Sequence, residues 1–287
     1  MTKSTFLHLR FPFSFFLLPV FLFALAVSAS TKYFEILWIF FILHVLLYPA
    51  SNGYNSYFDK DEGSIGGLKH PPKTSKELYG WSIALDVLAI MMGWWISWQF
   101  AAMLLIYGLV SKAYSHPLIR LKSMPIIGWL AAGIFQGYFT FLMVVLGLKD
   151  FDGLELIDWQ WQLPAILSSM LLMGSYPMTQ VYQHEEDSQR GDITMSILLG
   201  VLGTFYFTGL FFFVSNLGFL YYFYTYFDWM TALAFQLSLL PVMGYFFFWF
   251  LKVRKDERRA DFEHTMRLNL ISSLLLNVFF LGWYLLR

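Results

Sequence analysis

Nine long apolar runs alternate with short polar stretches along the chain, at 11–31, 34–53, 78–97, 99–115, 125–147, 163–182, 194–215, 229–251 and 268–286. A helix needs about 20 apolar residues to span a bilayer. The pattern therefore predicts an all-α polytopic membrane protein, a bundle of nine transmembrane helices. The third and fourth runs meet in a very short turn at Ser97–Phe100, and the seventh can continue into the aromatic stretch Phe219–Phe227. Residues 1–10 read as a cytoplasmic N-terminal tail and 11–287 as a single transmembrane domain. The first run follows Lys3 and Arg10 and ends in the small residues VSAS, a pattern shared with cleaved signal peptides. It is longer than a usual signal core and contains Pro12 and Pro19. It is read as a retained span, with cleavage after residue 29 as the alternative.

Composition agrees with this pattern. Only 13% of residues are charged, against about 25% in soluble domains. Net charge is zero, which predicts no nucleic-acid partner, and there is no cysteine. Disulfides, thiolate metal sites and cysteine nucleophiles are thereby excluded.

Charge placement gives a direction. With nine spans, all but three of the 19 Lys and Arg residues fall on the side that holds the N-terminus; the exceptions are Lys32, Lys149 and Arg287. Basic loops mark the cytoplasmic side, so the N-terminus is predicted to be cytoplasmic, in a membrane of the bacterial inner type. The acids of two clusters, Asp59, Asp61 and Glu62 and then Glu185, Glu186, Asp187 and Asp192, fall on the same side. The outer loop Lys149–Trp159 is also acidic and reads as a solvated surface.

The two clusters belong to a repeat. At a fixed offset of 128, YPASNGYNSYFDKDEG (Tyr48 to Gly63) aligns with YPMTQVYQHEEDSQRG (Tyr176 to Gly191). Tyr48, Pro49, Tyr54, Asp59, Gly63 and Ile65 meet identical residues, and Ser51, Asn52 and Asn55 meet Thr179, Gln180 and Gln183. Both copies lie at the cytoplasmic ends of spans, the second and the sixth. Tyr48, Asn52, Asn55 and Asp59 share a helical spacing, as do Tyr176, Gln180, Gln183 and Asp187. The repeat predicts two like-facing amide and carboxylate stripes on one cavity, with each proline loosening the helix end.

Crowded carboxylates repel unless a cation joins them. Mg²⁺ takes oxygen ligands and is typically held by one or two carboxylates together with substrate phosphates. The clusters therefore predict a magnesium–phosphate site, with bases from LKHPPK (Leu68 to Lys73), YSHPLIRLK (Tyr114 to Lys122) and Arg190 beside it.

These residues resemble the UbiA-type superfamily of intramembrane prenyltransferases, which have nine transmembrane helices and aspartate-rich motifs after helices two and six. NSYFD (Asn55 to Asp59) is similar to the first half of the family's N-x3-D-x3-D, but Gly63 stands at its last acid, a role Asp61 and Glu62 would take over. Asp187 and Gly191 match the second motif, with Gln183 in place of its leading Asp. YSHPLIRLK is similar to the family's tyrosine-containing loop after helix four. The resemblance implies Mg²⁺-dependent transfer of a prenyl group from an isoprenyl diphosphate to a lipophilic acceptor, aromatic acceptors included, within membrane lipid. The expected metal ligands are Asn55, Asp59, Asp61, Glu62, Glu186 and Asp187. Diphosphate contacts are expected from Asn55, Gln183, Lys69, Arg120, Lys122 and Arg190, and catalytic roles from Asp59, Asp187 and Tyr114. The departures at Gly63 and Gln183 motivate an alternative, a non-catalytic lipid or isoprenoid carrier or transporter on the same fold.

Three further features carry readings of their own. Asp86 lies inside the third span, where an acid must pair or face a cavity. His184 sits among the second cluster's acids and reads as structural. Lys252–Arg267 mixes bases and acids and reads as a surface segment against anionic headgroups.

Overall fold

The protein, a computed structural model, is described for residues 1–149, 151 and 153–287. Asp150 and Asp152, part of the expected acidic outer loop, lie outside the described residues. Among the described residues the chain is helical, with a single isolated backbone bridge between Ile65 and Leu68.

Helices occupy all nine predicted places. Five are long and apolar enough to cross a membrane: Tyr33–Asp59, Pro125–Leu148, Met195–Tyr226, Trp229–Lys255 and Phe262–Leu286. A sixth forms if Lys3–Phe16 and Leu18–Ser28, bent by 44° at their junction, count as one. The remaining places hold Glu77–Gly93, Trp98–Ser115 and Trp159–Ser175, of 17, 18 and 17 residues. These three are shorter or more polar than the others. Among the described residues, length and composition thus mark five of the nine runs as membrane-crossing, or six with the bent pair counted as one.

In chain order the α-helices are α1 (Lys3–Leu9), α2 (Leu18–Ser28), α3 (Tyr33–Phe41), α4 (Tyr48–Asp59), α5 (Glu77–Gly93), α6 (Trp98–Ser115) and α7 (Pro125–Gly133). They continue with α8 (Thr140–Leu148), α9 (Trp159–Ser175), α10 (His184–Gln189), α11 (Met195–Tyr226), α12 (Trp229–Lys255) and α13 (Phe262–Leu286). The core is aromatic. Phe23 of α2 stacks on Phe280 of α13 at 4.6 Å, and Phe219 of α11 stacks on Phe235 of α12 at 4.7 Å. Offset ring pairs of this kind add about 0.5–1.5 kcal/mol beyond the area they bury.

The expected tail at 1–10 is a folded element. Thr2 caps α1, and α1 is fastened to the loop before α5. Ser4 Oγ donates to the Lys73 carbonyl at 2.6 Å, Thr5 Oγ1 bonds Ser75 Oγ at 2.6 Å, and His8 Nε2 meets the Pro72 carbonyl at 2.7 Å. This delivers Arg10, in the left-handed region at φ 49°, to the inside of the bundle.

Two spans carry π-helical turns. Ile42–Leu47 separates α3 from α4 directly before Tyr48-Pro49, where the proline has no N–H for the carbonyl one turn back. Ile134–Phe139 separates α7 from α8. Here Gly137 lets the π turn approach the backbone of α9. A Cβ built on it would lie 2.5 Å from Ser169 Cα and 2.6 Å from Ser169 N. Those are backbone atoms and have no rotamer to escape into. Gly137→Ala is therefore expected to cost about 1–3 kcal/mol by overpacking, seen as a lower thermal midpoint in detergent micelles.

The repeat is only half preserved in three dimensions. The first copy is continuous helix through Asp59. The second breaks into 3₁₀ turns at Tyr176–Thr179 and Val181–Gln183, then α10, with Gln180 at φ −104°, ψ −15° and Gln183 at φ −104°, ψ 5°. The expected second stripe on one helical face is therefore corrected to a broken strand of turns. The break begins at Tyr176-Pro177, although Pro49 holds the same place in the continuous first copy.

Candidate active site

A cavity of about 220 Å³ opens where α4, α6, α7 and the broken second repeat meet. Its wall includes Asn55, Asp59, Asp61, Tyr114, Lys122, Gln183, Asp187 and Arg190, all expected from sequence. The two repeat copies do face each other, although their backbones differ.

Charge is concentrated at one end. Asp59 is 9% exposed. Its Oδ2 accepts from Asn55 Nδ2 at 2.6 Å, and Asn55 also donates to Ser115 Oγ at 3.0 Å. Its Oδ1 lies 2.5 Å from Lys122 Nζ and 3.8 Å from Arg120, an ion-pair contact without hydrogen-bond alignment. Arg190 holds the opposite wall. It pairs with Asp61, donates to Asp187 Oδ1 at 2.8 Å, and lies 3.8 Å from Glu186. Behind them Arg120 binds Asp192 in a fork at 2.7 and 2.8 Å, with Lys122 at 3.5 Å. Burial pushes the Asp187 carboxyl up to about 6, against the downward pull of Arg190. Burial also opposes ionisation of Asp192, but the Arg120 fork and Lys122 outweigh it and hold that carboxyl below its ordinary range.

Four expected residues stand off the cavity wall. Lys69 is exposed and ion-paired with Glu263, away from the cavity wall. The Glu62 side chain is exposed, and only its backbone N–H turns inward, donating to Glu186 Oε1 at 2.9 Å. Glu186 is spent on that loop, bonding Gly63 N at 3.4 Å as well. Of the acids expected to replace the one missing at Gly63, Asp61 reaches the cavity and Glu62 does not. Arg120 stands one layer back, behind Asp59 and Asp192. Gln183, at the other departure, gives its amide N–H to the Ser64 carbonyl at 3.1 Å and leaves its oxygen for the cavity side.

Arg10, Tyr107 and Gln136 on the wall were not foreseen. Arg10 is buried, donates to the Gly66 and Asn52 carbonyls at 3.3 Å each, and leaves its Nε without a partner. It faces Tyr182, Asp61 and Asp59. In the sequence it counted only as a charge before the first span. Its position before Phe11-Pro12 could have flagged it, since a lone base at a helix break can turn inward. Tyr176 joins hydroxyls with Tyr114 across the cavity. Tyr107 and Gln136 lie deeper.

Asp86 is paired with Lys112 within the membrane, and the Lys112 ammonium lies 4.9 Å over the Tyr54 ring. This pair ties α5 to α6 outside the cavity wall. His184 bonds Ser196 Oγ at 2.7 Å, a structural contact at the start of α11.

The donor set fits a hard cation held jointly with a ligand. Gln180 Oε1 is a buried cavity oxygen without a hydrogen-bond partner, and Asp59 Oδ1 meets only the Lys122 and Arg120 cations. Asp61 and Asp187 add carboxylates opposite. Among the described residues no group of three His, Cys, Asp or Glu side chains converges on one point. Mg²⁺ uses one or two carboxylates plus phosphate oxygens rather than a full protein cage.

Comparisons with known proteins agree with this geometry. No curated protein sequence matches the chain. A UbiA homologue from Archaeoglobus fulgidus, solved with DMAPP and Mg²⁺, superposes with a TM-score of 0.68 at 13% identity, over 99% of this chain and 100% of that one. The same homologue with GPP and Mg²⁺ gives 0.66 at 14%, over 98% and 99%. A structure from work on digeranylgeranylglyceryl phosphate synthase gives 0.63 at 16%, over 98% of both chains. At these identities the likeness establishes the fold. The sequence profile of the UbiA prenyltransferase family matches residues 16–271. The chain belongs to the UbiA prenyltransferase family, whose members are membrane enzymes that transfer prenyl groups.

Proposed function

We propose that this protein transfers a prenyl group from an isoprenyl diphosphate to a lipophilic acceptor, at a site on the cytoplasmic side of the membrane. The observation that carries the reading is the cavity's polarity: carboxylates and bases at one end, aromatic and neutral groups at the other. Asp59, Asp61 and Asp187, with Asn55 and Gln183, would hold Mg²⁺, which when bound stabilises negative charge on the departing diphosphate.

The chain's own groups do the rest. Lys122, Arg190 and Arg10 line the charged end and offer donors to diphosphate oxygens. The allylic C–O bond breaks with its electron pair leaving on the diphosphate. The acceptor supplies the pair for the new bond, and its displaced proton leaves with the diphosphate. Tyr107 and Phe135, with ring centroids 6.4 Å apart, present π surface to the allylic cation. The joined hydroxyls of Tyr114 and Tyr176 stand at the boundary between the two ends.

The test is diphosphate release in proteoliposomes supplied with dimethylallyl, geranyl and longer diphosphates, Mg²⁺ and lipophilic acceptors. Release that requires both Mg²⁺ and acceptor supports the reading. No release across the panel would favour a carrier on the same fold.

Asp187 gives this site a pH dependence. Its carboxyl is raised to about 6, so it holds a proton below that pH and cannot then serve a cation. Apparent Mg²⁺ affinity is expected to fall about tenfold per pH unit below pH 6 and to level off above it. Mg²⁺-dependent diphosphate release measured from pH 5 to 8 checks this.

A further inference from the structure

Asp192 is the most deeply buried carboxylate of the two acidic clusters, with its side chain 1% exposed. It nevertheless stands behind the cavity wall that Asp59, Asp61 and Asp187 line. Local structure puts it there. α10 ends at Arg190, and Gly191 turns left-handed at φ 76°. The Asp192 N–H then donates to the Asp187 carbonyl at 2.9 Å, and the Gly191 N–H to the Ser188 carbonyl at 3.1 Å. These two bonds make a Schellman closure, which folds the chain back at Asp192.

Bases from two segments share its charge. Both carboxylate oxygens accept from Arg120, at 2.7 and 2.8 Å. Oδ2 also lies 3.5 Å from Lys122 Nζ and 3.7 Å from Arg190 Nε. Arg120 and Lys122 belong to the connection after α6, where Arg120 is itself left-handed at φ 47°. The fork therefore ties one tight turn to another across the charged end. Each of these bases also faces an acid on the wall. Lys122 Nζ lies 2.5 Å from Asp59 and Arg120 3.8 Å from it, while Arg190 pairs with Asp61 and Asp187. A divalent cation competes with the bases for those wall acids. Asp192, with both oxygens turned to bases, has none to give it.

We infer that Asp192 is a positioning residue. It holds Lys122 at the charged end of the cavity when Asp59 is given over to a cation, so that the ammonium meets the diphosphate. Without Asp192, Lys122 has Asp59 as its remaining acid partner, and each withholds the other from the ligand. Arg120 anchors Asp192 instead of reaching the ligand, which accounts for its place one layer back. The inference rests on the prenyl-transfer reading, and the experiment separates the two.

The full-length protein in nanodiscs with Mg²⁺ is titrated calorimetrically with dimethylallyl diphosphate, with the thermal midpoint as the folding control. Asp192→Asn is expected to weaken binding about tenfold, the scale of one misdirected charged hydrogen bond. Lys122→Met is expected to weaken it at least as much. Asp192→Asn placed in the Lys122→Met background is expected to change affinity by less than about twofold, because the aspartate acts through the lysine. Asp192→Asn alone takes the charge partner from Arg120. Should that variant unfold, Arg120→Gln combined with Asp192→Asn removes the fork as a pair, and the same loss and the same dependence on Lys122 are expected. Wild-type affinity in either folded variant overturns the inference. So do losses that multiply in the Lys122→Met background, the result for a residue that only supports the fold. Failure of dimethylallyl diphosphate to bind wild type overturns the prenyl-transfer reading itself.

Discussion

Asp59→Asn is expected to reduce prenyl transfer by about 10²–10³-fold, the usual effect of removing one preorganised electrostatic group, while the protein stays folded. Asn has nearly the same volume as Asp, so the wall of α4 keeps its shape. The amide can still meet Asn55, which sits one turn earlier at 2.6 Å from the carboxylate. What disappears is the charge that Lys122 contacts at 2.5 Å and that a divalent cation requires. Lys122 is not stranded, because Asp192 lies 3.5 Å from its ammonium. A buried cation without any partner would cost several kcal/mol, and this second contact avoids that. Diphosphate release in proteoliposomes reads the loss, and the thermal midpoint serves as the folding control. Pairing the change with Asp187→Asn removes a carboxylate from each wall. Transfer at wild-type rates in that double variant would exclude both residues from the site.

Arg190→Gln is expected to destabilise the cation-free protein by about 3–5 kcal/mol, the cost of stripping one partner from a buried ion pair. The side chain is 20% exposed and pairs with Asp61 and Asp187, whose side chains are 6% and 8% exposed. Glu186 at 3.8 Å and Asp192 at 3.7 Å share the same guanidinium. Arg120 and Lys122 still serve Asp192, but Asp61 and Asp187 lose their principal counter-charge. Those carboxylates are also the ones proposed to meet Mg²⁺. The destabilisation should therefore shrink in millimolar Mg²⁺, since a ligand that binds only the folded state stabilises it. Thermal unfolding with and without Mg²⁺ measures this. A deficit that ignores the cation would show that the arginine supports the fold alone and that Mg²⁺ does not reach its partners.

Much of the site was legible because its parts are local. Asn55 and Asp59 sit one helical turn apart, and the stretch containing them recurs 128 residues later. Even where the second copy is broken into 3₁₀ turns, Gln183 and Asp187 still reach the cavity, since short turns keep side chains near their helical positions. Lys69 and Glu62 were misplaced for a specific reason. Both belong to the connection after α4, where Lys60 turns left-handed at φ 51°, and the path beyond such a turn does not follow from spacing. Beyond that turn Asp61 lines the cavity and its neighbour Glu62 is exposed.

The sequence by itself determined that this is a helical membrane protein, and it located both acidic helix ends. Those properties depend on hydrophobic period and on residues close together in the chain. Tertiary structure alone decided that the N-terminal segment folds back to bring Arg10 into the cavity, and that Gly137 seats the π turn against Ser169. It also gathered Ser51, Ser111 and Gln136 onto one cavity wall, from three separate segments. Each of these is a meeting of distant segments, set by how side chains pack between helices, and no periodicity along a single helix carries that information.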